Sequence, residues 1–178
     1  MNSGNPEVVF GLFTGHPQSG ALTPSSHWTD LNRSLPGEAA VLKSHVDALD
    51  SRLRQHLPAA EASELRIQTV ELRWVAGDGP EVTRPGHLDG KRAAITVTTA
   101  LVGRGTQVQN GPGPRLDPVA PLFETPRGQT LLLTGLGRTQ FYADRDVAMP
   151  ATLHEAAPMG AQPRLLLIVR YRYAPRIE

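Results

Sequence analysis

Glycine and proline interrupt this chain throughout, with 17 Gly and 16 Pro among 178 residues. Each proline removes a backbone donor and each glycine adds conformational freedom, so a bundle of long helices is disfavoured. The pattern suits many short strands joined by turns. Apolar alternation agrees. Leu65, Ile67 and Thr69 alternate, as do Val70, Leu72 and Trp74, and the change of parity between the two sets predicts a bulge or twist. Across Ala94–Val102, Ile95, Val97, Thr99 and Leu101 alternate with Thr96, Thr98 and Ala100. Thr130–Thr134, Arg138–Tyr142 and Arg164–Tyr173 read as further strands, and Gly103–Pro114 as a Gly-rich turn region.

One segment reads as a helix. Within Glu38–Leu57, the residues Leu42, Val46, Leu49 and Leu53 fall on one stripe, and Pro58 ends it. The stripe predicts a helix packed against the outside of a sheet. The expected organisation is a single domain over 1–178. It comprises an irregular N-terminal arm at 1–36, a flanking helix at 37–58 and a β core at 64–174. The fold class is mainly β, a sandwich or jelly-roll barrel.

Charge narrows the function classes. Eighteen basic residues against 17 acidic leave a net charge of +1, with no long run of either sign. This argues against nucleic acid or an anionic membrane as partner. Cysteine is absent, which excludes disulfides, zinc–thiolate sites and a thiol nucleophile. A metal would therefore rest on His, Asp or Glu. The first residues lack a basic leader segment and Val8–Phe13 is too short for a span, so a cytoplasmic protein is expected. No serine nucleophile elbow or acid/base carboxylate pair stands out. Gly135-Leu136-Gly137-Arg138-Thr139 lacks the third glycine and following helix of a dinucleotide site and reads as a turn.

His-x-Asp occurs twice, at His45-Val46-Asp47 and His87-Leu88-Asp89. On a helix, residues i and i+2 point about 200° apart, so the first pair cannot chelate one ion and reads as a solvated helix face. On extended backbone they project to one side, so the second pair can. Pro85, Gly86 and Gly90 favour extended backbone there. Alone, this second pair is either a surface turn or half of a metal site. His154 supplies a later histidine, readable as a core residue or as a ligand. His-x-Asp followed by a distant His is the ligand order of a 2-His-1-carboxylate triad, which binds non-haem Fe(II) and leaves coordination positions open. Arg164 stands ten residues on, at the mouth of the apolar run Leu165–Val169. It either snorkels, pairs with an acid, or offers its planar fork to a carboxylate ligand.

Taken in order, these segments resemble the Fe(II)/2-oxoglutarate-dependent dioxygenase superfamily, in particular its prolyl-hydroxylase-like branch. The likeness runs from Leu65 to Tyr173. It includes the strand and turn Val70–Gly77, the Gly86-His87-Leu88-Asp89 segment, the strand Arg92–Leu101 with the turn Gly103-Arg104-Gly105-Thr106, and His154, Pro158, Gly160 and Arg164. The resemblance implies a double-stranded β-helix (jelly-roll) with flanking helices. It also implies Fe(II) held by His87, Asp89 and His154, with Arg164 on the far carboxylate of 2-oxoglutarate. O2 is consumed and succinate and CO2 are released as a small molecule or peptide side chain is hydroxylated.

Two departures stand out. Trp74 lies nearest the tyrosine that often contacts the co-substrate in that branch, and it can donate but not accept. The second turn reads Gly-Arg-Gly rather than a glycine pair. Thr96 or Thr98 could supply the missing hydroxyl, or both are ordinary strand residues. Two other classes stay open: a cupin-like metal-dependent isomerase or lyase that uses no keto acid, and a non-catalytic jelly-roll binding module. Substrate identity and oligomeric state are not legible.

Overall fold

The computed structural model of the chain describes residues 10–14, 27–30, 33, 36–75, 86–109, 121–156 and 163–174. In chain order these form strands β1 (Phe10–Thr14) and β2 (His27–Asp30), then helices α1 (Pro36–Gln55) and α2 (Ala59–Glu64). Strands β3 (Leu65–Val75), β4 (Ile95–Val102), β5 (Thr106–Gln109), β6 (Leu122–Glu124) and β7 (Thr130–Thr134) follow. Helix α3 (Leu136–Ala143) and strands β8 (Leu153–Ala156) and β9 (Arg164–Tyr173) complete the series. The fold is mainly β. A six-stranded sheet runs β2-β1-β3-β9-β4-β7 and a three-stranded sheet runs β6-β5-β8. Pairing is antiparallel throughout except between β1 and β3, which are parallel.

The two faces of the large sheet are chemically opposite. Ile95 and Val97 of β4, Leu167, Val169 and Tyr171 of β9, and Leu65 and Val70 of β3 form one core with Ala39, Val46 and Leu53 of α1. Leu42, Leu49 and Leu72 pack on its edge, so the expected helical stripe meets the expected sheet. Burial of each fully buried Val, Leu or Ile among them contributes about 1.5–3 kcal/mol. The parity change in β3 is real, because its register against β9 shifts between Ile67 and Thr69. That bulge keeps Ile67 and Val70 on the same apolar side.

Several expectations need correction. The region 1–36 is not wholly irregular, since β1 and β2 pair and extend the large sheet past β3. Gly15, Pro17, Gly20 and Pro24, whose types favour loop in this arm, all fall between these strands, outside the described residues. The turn region expected over 103–114 contains β5, and 110–114 lie outside the described residues. The flanking helix ends at Gln55, and Pro58 caps a second helix, α2, in place of simple termination. Arg138–Tyr142 is part of helix α3, not a strand, and the Gly135–Thr139 fragment expected as a turn opens that helix.

The cause of this last change is tertiary. Glu61 of α2 is almost fully buried and accepts Arg138 Nε at 2.7 Å, Arg138 Nη2 at 3.1 Å, Tyr142 Oη at 2.5 Å and Tyr173 Oη at 2.8 Å. Arg138 and Tyr142 stand four residues apart and reach one carboxylate together only on a helical face. Gly135 lets the start of α3 lie against the segment before β4, because a Cβ there would sit 2.2 Å from the Ala93 carbonyl oxygen.

Candidate metal centre

His87 and His154 lie directly opposite one another. The His87 amide donates to the His154 carbonyl at 2.9 Å, and the His154 amide donates back to the His87 carbonyl at 3.1 Å. This reciprocal pair is the hydrogen-bonded pair of an antiparallel ladder. It brings the imidazole centroids to 4.3 Å. His154 belongs to β8, where it also pairs with Val108 of β5. Asp89 follows two residues after His87, on the same side of the extended segment. Its backbone is held as well, since the Leu136 amide at the start of α3 donates to the Asp89 carbonyl at 3.0 Å. One ligand atom from each of His87, Asp89 and His154 lies within 4.8 Å of the other two. The expected triad is therefore brought together.

Hydrogen bonds outside the triad orient its donors. His154 Nδ1 lies 3.1 Å from the Thr152 carbonyl. A carbonyl only accepts, so Nδ1 carries the proton and Nε2 presents its lone pair. Thr96 Oγ1 donates to Asp89 Oδ2 at 2.5 Å, leaving Oδ1 turned toward His154 Nε2 at 3.8 Å. Donor atoms sharing one transition-metal ion at about 2.1 Å stand about 3–3.5 Å apart. A small contraction of this cluster would meet that spacing. Two imidazole nitrogens and one carboxylate oxygen suit iron-like or zinc-like ions more than calcium or magnesium. His154 is 7% exposed, while His87 and Asp89 are half-buried, so the cluster is partly open.

The second His-x-Asp behaves as its helical setting requires. His45 and Asp47 are exposed on α1, and Asp47 pairs with Lys43 four residues earlier.

Arg164 does not snorkel. It is 4% exposed at the start of β9 and donates through Nη2 to the Gly105 carbonyl at 2.9 Å and Thr106 Oγ1 at 3.2 Å. Its Nε is buried without a partner, and it forms no ion pair with a described residue. Burial pulls its pKa down to about 10, offset in part by the more distant Glu124 carboxylate. It stays charged at neutral pH, a cation in a shielded position with uncommitted hydrogen-bonding capacity. Thr106 stands two residues before Val108, the partner of His154, which is about 7 Å along the strand. Gly103 shapes this corner: its φ is +75°, and a Cβ there would lie 2.5 Å from the Pro163 carbonyl oxygen.

The remaining site expectations divide. Thr96 and Thr98 are buried on the face away from α1, and Thr96 contacts the triad itself. Trp74 is not brought there, because it alternates with Glu71 and Arg73 and shares the side of Leu72. Pro85, Pro158, Gly160 and Gly77 lie outside the described residues.

Sequence reasoning named Thr106 only as a turn residue, and it missed the Thr152 carbonyl and a polar cluster of Glu71, Arg73 and Arg170. Glu71 accepts Arg73 Nη2 at 2.7 Å through Oε2 and Arg170 Nη1 through Oε1. The available signal was parity, since Arg170 stands six residues after Arg164 on one strand and so shares its face. Among the described residues no helix is long and apolar enough to cross a membrane. Comparison with known proteins gives no match to a family model, a curated protein or a solved structure.

Proposed function

We propose that the chain is a non-haem Fe(II)- and 2-oxoglutarate-dependent oxygenase built on a double-stranded β-helix. The observation that carries this reading is the His87–Asp89–His154 cluster, whose ligand atoms converge within 4.8 Å. The buried Arg164, with no carboxylate partner among the described residues, supports the keto-acid part.

Strand pairing supports the fold part. When an eight-stranded hairpin rolls up, the first strand pairs with the last, the second with the seventh, the third with the sixth and the fourth with the fifth. Counting His87 as the second position, the pairs here are β3 with β9, His87 with β8, β4 with β7, and β5 with β6.

In this reading His87, Asp89 and His154 hold the metal, and Arg164 takes the distal carboxylate of the keto acid. Bound there, iron and 2-oxoglutarate supply oxidising power from O2, with release of succinate and CO2 and hydroxylation of a small molecule or side chain. The chain's own contribution is orientation. Thr152 sets the His154 tautomer, Thr96 fixes the rotation of the Asp89 carboxylate, and the α3 amide holds Asp89 in place.

Anaerobic titration tests the reading. Adding Fe(II) and then 2-oxoglutarate gives a weak visible charge-transfer band in the parent protein and none in Asp89→Ala or His154→Ala. Fe(II) binding without the band would favour a cupin-like metalloprotein that uses no keto acid. Absence of metal binding would leave a binding module.

A further inference from the structure

The face of the large sheet turned away from α1 is unusually polar for a sheet interior. Thr96, Thr98, Glu71, Arg73 and Arg170 share it with Ala100, Leu166 and Ile168. The interior of a sandwich is normally filled by apolar side chains, because charge held there must be matched. Glu71, 7% exposed, divides its two oxygens between two guanidinium groups. Arg170 thus receives one carboxylate oxygen, through Nη1. Its Nε/Nη2 edge, the fork that takes a carboxylate in two parallel hydrogen bonds, bonds to no described residue. The side chain is 26% exposed, so a ligand can reach it.

Position gives this fork its meaning. Arg170 is paired in register with Thr96 of β4. Side chains so paired on one face have Cβ atoms about 4.5–5.5 Å apart. Thr96 is the residue that hydrogen-bonds the Asp89 carboxylate of the triad. A group held by Arg170 therefore lies on the same face of the sheet as the residue that contacts Asp89, while Arg164 serves the other end of β9.

We propose that Arg170, braced by the Glu71 carboxylate that Arg73 also holds, anchors an anionic group of the primary substrate. The substrate class is then a small molecule bearing an oxyanion, a carboxylate or a phosphoryl group. This rests on the oxygenase reading, since it takes Arg164 to serve the co-substrate.

The test is an NMR titration of arginine Nε–H signals in 15N-arginine-labelled protein, loaded with Zn(II) and run with and without saturating 2-oxoglutarate. The Arg170 signal is assigned by its loss in Arg170→Lys and in Arg170→Gln. With 2-oxoglutarate bound, millimolar acetate or inorganic phosphate is expected to shift that signal saturably, and acetamide or matched sodium chloride to leave it unmoved. A stronger response to acetate marks a carboxylate substrate, and a stronger response to phosphate a phosphorylated one. The proposal is overturned if neither anion moves the signal beyond the chloride control. It is equally overturned if 2-oxoglutarate itself saturates the Arg170 signal and abolishes the acetate response, which would assign Arg170 to the co-substrate. If 2-oxoglutarate fails to bind while acetate still titrates Arg170, the oxygenase reading falls and the anion site stands.

Discussion

Replacing Arg164 with methionine separates a ligand-binding arginine from one that holds the fold together. Burial lowers the Arg164 pKa from 12.5 to about 10. At about 1.36 kcal/mol per pKa unit, this is roughly 3 kcal/mol against the charged form. Opposing it are the hydrogen bonds to the Gly105 carbonyl and Thr106 Oγ1, roughly 1.5–3 kcal/mol each for a charged donor. A buried methionine returns roughly 1.5–3 kcal/mol of apolar burial. On these ranges the variant lies between about 3 kcal/mol more stable and about 1.5 kcal/mol less stable than the parent, whereas breaking a structural buried ion pair costs about 3–5 kcal/mol.

Urea unfolding measures the difference directly. The variant should be destabilised by no more than about 2 kcal/mol relative to the parent. In the Zn(II)-loaded parent, 2-oxoglutarate at a hundredfold excess over its Kd should add about 2.7 kcal/mol of stability, and in the variant almost none. A variant that loses more than about 3 kcal/mol, or that 2-oxoglutarate stabilises as strongly as the parent, would refute the assignment.

Two further outcomes follow from the same contacts. Thr96→Val keeps the shape of a buried strand residue but frees Asp89 Oδ2, so metal affinity should fall about 10–100-fold with little change in melting temperature; unchanged affinity by competition with a chelator would remove Thr96 from the centre. Glu61→Ala strands Arg138 and should cost about 3–5 kcal/mol at pH 7. Burial alone would raise the Glu61 pKa, but the hydrogen bonds from Arg138, Tyr142 and Tyr173 hold it below the ordinary glutamate value. The stability that Glu61 adds is therefore complete above its unfolded pKa, about 4.3, and is lost as pH falls through the lower folded value. The gap between parent and variant should narrow as pH falls below the ordinary glutamate range, and a gap that stays constant or widens on acidification in denaturant titrations would contradict this.

Much of the scaffold was legible because its causes are local. The stripe Leu42, Val46, Leu49 and Leu53 needs only helical periodicity, and Ile95 with Val97 needs only the two-residue repeat of a strand. The same geometry separated the two His-x-Asp pairs, placing His45 and Asp47 on a solvated helix and His87 with Asp89 on an extended segment. Trp74 lies on the face of Leu72, which its own strand's alternation does not reveal. The face it occupies is set by register against β9 across the bulge, and only the partner strand reveals that register. The strand expected at Arg138–Tyr142 failed for a related reason. Thr139, Phe141 and Tyr142 have strand propensity, yet Glu61, 77 residues earlier, binds Arg138 and Tyr142 together.

The sequence by itself determined the period of each element, the lack of thiol chemistry and the presence of three side chains of metal-ligating type in a suggestive order. Those properties depend on residue type and on neighbours one to four positions away. Only the tertiary structure decided that His87 faces His154, that Thr96 reaches Asp89, that Arg164 is buried with no ion-pair partner among the described residues, and that Arg170 joins it on the same face. Each of these is a contact between distant segments, and its existence depends on which strands pair and in which register.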